Sequence, residues 1–178
     1  MIAMAQIASA QVNNSKVKSR APQWETPLIK GYGRIKYYPN AAIQPDKSLD
    51  YKVVFKITGD NTKDGVNGKL WHMARLMNLL YAGGIESKHV HMVGVIAGGA
   101  TTIVLNNKTY KERFHKNNPN LDILKKLTEH GAMIYVCDQA LAENKISQQG
   151  EVNKYVKKSL SAIVDIPTFI LKGYALIP

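Results

Sequence analysis

The chain holds one cysteine, Cys137, so neither an intramolecular disulfide nor a multi-cysteine metal site can be built from it. Cys137 closes the apolar run Ala132-Met-Ile-Tyr-Val136 and is followed by Asp138, Gln139, Ala140 and Leu141, which read as the start of a helix reaching Asn144. A thiol at the end of a strand and the start of a helix meets the positive end of the helix dipole and free backbone N–H groups, and both favour the thiolate that attacks sulfur. The neighbouring Asp138 carboxylate acts in the opposite sense, because a second negative charge nearby is disfavoured. The alternative reading is structural: free cysteine is among the most buried residue types and fills small apolar gaps.

Other residues could support chemistry more weakly. The turn Gly98-Gly99-Ala100-Thr101-Thr102 offers backbone N–H groups to an oxyanion. It lacks the spacing of a dinucleotide-binding glycine motif, and Gly59-Asp60 has no phosphate-loop lysine at the right offset. No G-x-S-x-G elbow is present, so serine hydrolysis has no nucleophile in the usual setting. Among the five histidines, His89 and His91 project to one side of a strand but begin it, at the edge opposite Cys137. His72 and Arg75 share a helix face, and His115 and His130 read as solvent-side. The expectation is that no metal is bound and no cofactor is needed.

These residues are positioned by an alternation of strands and helices. Tyr51–Thr58, His89–Ile96, Ala132–Val136, Ala162–Asp165 and Gly173–Ile177 read as strands. The stripe Val66, Leu70, Met73, Met77, Leu80 and Tyr81 predicts a helix stopped by Gly83-Gly84, with Lys69, His72, Arg75 and Asn78 on its polar side. A short helix is expected over Thr101–Leu105, another from Leu121 capped by Asn120, and another over Glu151–Ser159. Such alternation implies right-handed crossovers, and the expected fold is α/β: a flavodoxin-like three-layer sandwich on a mainly parallel five-stranded sheet. In such sheets ligands gather beyond the carboxyl ends of the strands. That places Cys137 at this edge as the candidate catalytic residue, the structural reading of the thiol staying open, with Gly59, Asp60, Gly98, Gly99, Thr101, Asp138 and Gln139 as substrate-binding candidates.

Upstream of residue 51 the reading changes. Residues 1–10 are uncharged and end in Ala8-Ser9-Ala10, the form of a signal-peptidase site, although a basic n-region is missing. If this is the end of a signal peptide the protein is periplasmic or secreted, and otherwise cytoplasmic. Residues 11–50 form an irregular N-terminal extension, in which Pro22, Pro27, Pro39 and Pro45 forbid a long helix. Tyr32, Ile35, Tyr37 and Tyr38 are expected to pack on the domain as a hairpin or strap. The formal charge of +11 would attract anions, but the lysines are scattered and no nucleic-acid motif accompanies them, so a basic surface is the expectation rather than a nucleic-acid site. No apolar run reaches the roughly 20 residues needed to span a bilayer.

Residues 51–178 resemble the DsrE/DsrF-like family. The resemblance rests on the first strand with its long following helix, on Ala132-Met-Ile-Tyr-Val-Cys-Asp-Gln-Ala-Leu141, and on the closing stretch Val164–Ile177 with Gly173-Tyr174-Ala175. It implies a small subunit that assembles into dimers, trimers or hexamers, and a sulfurtransferase-like carrier holding persulfide sulfur on Cys137 between a donor and an acceptor protein. The arginine-glycine pair of sulfur-relay members is represented here by Asn144-Lys145-Ile146. The other reading is a non-catalytic exported binding or assembly module of the same fold.

Overall fold

The computed structural model describes residues 21–147 and 149–178. The signal-like segment 1–10 and residues 11–20 of the extension lie outside the described residues. From residue 51 onward the chain forms β1 (Tyr51–Ile57), a two-stranded hairpin of β2 (Thr62–Lys63) and β3 (Val66–Asn67), and α1 (Gly68–Ala82). Then come β4 (Val90–Ile96), 3-10 turns over Gly98–Val104, α2 (Asn107–Phe114), α3 (Leu121–Glu129), β5 (Met133–Cys137) and α4 (Asp138–Glu143). The chain closes with β6 (Lys157–Ser159), α5 (Ala162–Leu171) and β7 (Ala175–Ile177).

Five strands form one sheet in the order β6-β5-β4-β1-β7, every pair parallel. This is the α/β sheet the alternation predicts. Side chains alternate along each strand, so β1 sends Val53, Phe55 and Ile57 into the main core with α1 and α3 and turns Val54 to the other face. Gly94 of β4 lets α1 approach closely: a Cβ there would lie 3.0–3.1 Å from Ile57, Ile134 and the Met73 sulfur. The opposite face is thinner. Val54, Val93 and Val95 are covered there by Ala162, Ile166 and Phe169 of α5, together with Tyr174.

Two expected elements near the C-terminus are corrected. Ala162–Asp165 is not a strand but the first turn of α5, and Glu151–Ser159 is not a helix but a loop leading into β6. The β-branched run Ile163-Val164 gave way because the helix brings Ile166 and Phe169 onto the sheet together, and tertiary packing overrides propensity. Pro167 sits inside α5 but on its exposed side. The true fourth strand is the polar edge Lys157-Lys158-Ser159, which carries no apolar alternation to announce it.

Two asparagines also depart from expectation. Asn120 makes no side-chain cap on α3; its Oδ1 accepts the Asn67 N–H at 2.7 Å. Asn78 is not on the polar face of α1 but fully buried. Its Oδ1 accepts the N–H groups of Leu28 and Ile29 at 2.9 and 2.7 Å, and its Nδ2 donates to Tyr32 O and Gly33 O at 2.9 and 3.0 Å. These four bonds strap residues 28–33 across α1. The crossing is so close that a Cβ on Gly33, which holds φ +62°, would lie 2.2 Å from the Arg75 backbone nitrogen. Lys126 of α3 adds a bond to Lys30 O, and Ile29 and Ile35 are buried beneath the strap.

Replacing Asn78 by alanine strands two N–H groups and two carbonyls under the strap, and removal of partners from buried polar groups costs about 1–3 kcal/mol per group. Asn78→Ala is therefore expected to lose at least about 2 kcal/mol in urea unfolding and to be cleaved faster by protease within residues 21–50. Unchanged stability and cleavage would refute the role assigned to this amide.

Candidate functional site

Cys137 is the last residue of β5 and the N-cap of α4, a position produced because the apolar strand ends where Asp138-Gln139-Ala140 turns helical. Its Sγ accepts the Ala140 N–H at 3.4 Å and lies 3.9 Å from Ser161 Oγ. Around it pack Ala97, Ala140 and Ala162, and the thiol residue is only 5% exposed. Cys137 has the sheet parity of Met133 and Tyr135, so it points to the face covered by α5. The segment Leu160-Ser161-Ala162 roofs it. Gln139 is exposed and its Nε2 donates to Leu160 O at 3.4 Å, tying α4 to that roof.

The surroundings of the thiol are small, apolar and hydroxylic. Ser159, opposite Cys137 in the β5–β6 register, has its Oγ 2.5 Å from Asp165 Oδ2 and 3.2 Å from Val136 O. Asp138 is half-buried, and its Oδ1 is shielded from solvent with no hydrogen-bond partner among the described residues. Ser161, Ser159 and Asp165 belong to this neighbourhood and were missed because the sequence reads Glu151–Ser159 as a helix and Ala162–Asp165 as a strand, whereas Ser159 ends β6 and Ser161 precedes α5.

The glycine loops meet beside this group. Ala97 joins them, since its N–H donates to Ile57 O at 3.0 Å while its side chain packs with Cys137. Cβ atoms on Gly98 and Gly99 would lie 3.4 and 3.3 Å from Thr58 O, so the glycine turn rests directly on the loop carrying Gly59 and Asp60. Thr101 is fully buried and its Oγ1 donates to Gly98 O at 2.6 Å, which commits the hydroxyl to the turn itself. A hollow of about 260 Å³ opens here, lined by Gly59, Asn61, Gly68, Lys69 and His72, and Cys137 does not line it. The first α1 amides do not face it freely: Asn67 Oδ1 accepts the N–H groups of Lys69 and Leu70, and Gly68 N donates to Asn61 O. Lys69 Nζ donates to Pro178 O. Burial, followed by Lys63, Arg75 and Lys69, holds the His72 imidazole below the ordinary histidine value of 6.5.

The other histidines stand apart from this edge. His89 Nδ1 is 2.7 Å from Asp50 Oδ1 at the amino end of the sheet, and His115 and His130 are exposed. Among the described residues no three metal-binding side chains converge.

A model of the DsrE/DsrF-like family matches residues 52–178. The chain belongs to the DsrE/DsrF-like family. Two solved structures share the fold of this DsrE/DsrF-like chain. One is a protein of unknown function, MTH1491, from Methanobacterium thermoautotrophicum, 20% identical, covering 72% of this chain and 98% of that one with a TM-score of 0.54. The other is the ychN protein from E. coli, 16% identical, covering 71% and 96% with a TM-score of 0.50. Comparison with curated proteins gives no match.

Because the fold lowers the His72 pKa, the unfolded chain takes up this proton first; stability falls as pH drops through 6.5 and is regained as pH rises. Nuclear magnetic resonance titration should find His72 titrating below 6.5, and Lys63→Gln should move it upward. An unperturbed His72, or no response to Lys63→Gln, would contradict this cationic surrounding.

Proposed function

We propose that this DsrE/DsrF-like chain is a sulfur carrier of the relay type, with Cys137 as the atom that holds the cargo. The single observation that carries the reading is the thiol's place at the β5–α4 junction, where its sulfur accepts the Ala140 N–H. An anionic sulfur is stabilised by such a donor and by the start of a helix. In the loading step the Cys137 thiolate attacks the outer sulfur of a donor persulfide, the donor's S–S bond breaks, and the donor thiolate leaves. In unloading, an acceptor thiolate attacks the outer sulfur of the Cys137 persulfide and Cys137 thiolate is released. Both steps balance without a cofactor. Gly59, Asp60, Gly98, Gly99, Asp138 and Gln139 belong to the same reading as the loops that border the donor's approach, with Thr101 holding the glycine turn in shape. An exported location rests on Ala8-Ser9-Ala10.

The 5% exposure of Cys137 favours a second reading, a non-catalytic binding or assembly module. Buried structural cysteines are inert, and in the carrier reading the Leu160–Ala162 roof has to move aside for each transfer. Both readings include self-association. Ile163 is 85% and Leu171 88% exposed, and Val164 and Ile170 of the same helix are 49% and 44% exposed. Between Leu160 and Pro178 the only charged residues are Asp165 and Lys172, so this is a nearly uncharged face on a chain of formal charge +11. Contiguous exposed apolar surface of this kind marks interaction sites, and a second copy brings a matching face.

Incubation of the protein from Gln11 onward with a persulfide donor, followed by intact-mass measurement, is expected to show one added sulfur on wild type and none on Cys137→Ser. No added sulfur, with a thiol that reacts with reagents only after unfolding, would leave the assembly reading in its place. Self-association is checked separately: Ile163→Asp with Leu171→Asp is expected to convert the assembly to monomers in sedimentation at unchanged helix content, and a monomeric wild type would reject that face.

A further inference from the structure

The strap does more than cover α1. Where residues 36–51 run beside that helix, they leave a hollow of about 360 Å³ floored by Leu76, Leu79 and Leu80 and walled by Tyr37, Tyr38 and Tyr51. A second hollow of about 210 Å³ continues from it toward Trp24, and Lys36, Tyr38 and Leu79 line both. Together they form an elongated groove. The larger part alone falls within the roughly 300–1,000 Å³ of small-molecule sites. Its rim exposes apolar surface that no described residue covers: Ile43 is 91% exposed, and Trp24 and Tyr38 are each 56% exposed.

Two polar side chains of the groove, Tyr37 and Gln44, are satisfied internally, which sharpens what it can recognise. Tyr37 Oη donates to Gln44 Oε1 at 2.8 Å, and Gln44 Nε2 lies 2.9 Å from both Tyr38 O and Ala41 O. Cations gather at one end. Lys36 Nζ lies 5.3 Å from the centre of the Trp24 ring, with the guanidinium groups of Arg34 and Arg75 at 5.6 and 6.0 Å. Arg75 is spent on two bonds to Arg34 O, and Arg34 lies 3.9 Å from Asp64. Among the described residues, Lys36 has no carboxylate within ion-pairing distance. The larger hollow, floored by leucines and bordered where it meets the smaller one by an ammonium group without a counter-charge, matches a ligand with an aliphatic chain and one anionic head.

We propose that this groove binds a free single-chain anionic amphiphile, its chain along Leu76, Leu79 and Leu80 and its head at Lys36. The site is separate from the Cys137 edge and stands whether or not Cys137 carries sulfur. Each methylene withdrawn from water adds to binding, so the chain supplies the affinity and Lys36 the choice of head group. The full chain is titrated by calorimetry with dodecanoate and with dodecanol, and separately with phosphatidylglycerol vesicles. Saturable binding of one dodecanoate, weaker binding of dodecanol, and a loss of about fivefold in Lys36→Met at unchanged thermal unfolding are expected. A second variant, Leu79→Glu, places a like charge in the groove and is expected to abolish dodecanoate binding without moving the sulfur loading of Cys137. The proposal is overturned by no saturable binding, by equal affinity for dodecanol, by an unaffected Lys36→Met, or by binding to vesicles alone.

Discussion

A side-chain amide enclosed in a protein interior must find hydrogen bonds for its oxygen and its two N–H groups, and Asn78 finds them only in the backbone of residues 28–33. That requirement fixes the path of residues 28–33 over α1. It sets the strap across the middle of α1, brings Gly33 against the helix backbone, and buries Ile29 and Ile35. Along this course Arg34, Lys36 and Arg75 gather around the Trp24 ring. The same device recurs at the carboxyl end of the sheet, where Asn67, Asn118, Asn120 and Asn153 are all buried. Asn118 Nδ2 donates to Ile103 O and Leu105 O, and Asn153 Nδ2 to Val104 O, so amides hold the loops that strands cannot reach.

The sheet is unequally clothed, and the thiol lies on its lightly covered side. One face carries α1, α3 and the large core. The other relies on a single ten-residue helix whose outward surface is as apolar as its inward one. A helix with no fully buried residue cannot draw much stability from its own chain, since burial rather than propensity stabilises most helices. Cys137 is therefore closed off by the part of the domain with the least packing beneath it, and the chemistry available to its sulfur depends on how that part is covered.

Much of the framework was legible in the sequence. Tyr51–Ile57, Val90–Ile96 and Met133–Cys137 announce themselves because buried parallel strands are near-continuous apolar runs, and Cys137 falls at a strand end because that run stops there. Residues 151–171 were misread for the complementary reason. β6 lies at a sheet edge and needs no apolar pattern, while α5 keeps apolar residues on all sides, which hides its period. Asn78 was hidden by its type: it stands four residues after Ala74 and seven after Trp71, both fully buried in the structure, but an amide reads as polar surface. The exposure of the thiol was not legible, because it depends on the Leu160–Ala162 roof, which follows from the placement of α5.

The two margins of the sheet differ in kind. At β6 the outer strand bears Lys157 and Lys158, and charged side chains of this sort discourage another strand from adding on. At β7 the outer strand is Ala175-Leu176-Ile177, exposed and uncharged, and among the described residues no strand pairs with its second edge. A sheet with one guarded margin and one bare margin can lengthen in one direction only. Joining bare margin to bare margin across a twofold axis uses up the open edge on both chains at once, so growth by strand addition halts at a closed pair and never becomes a fibre.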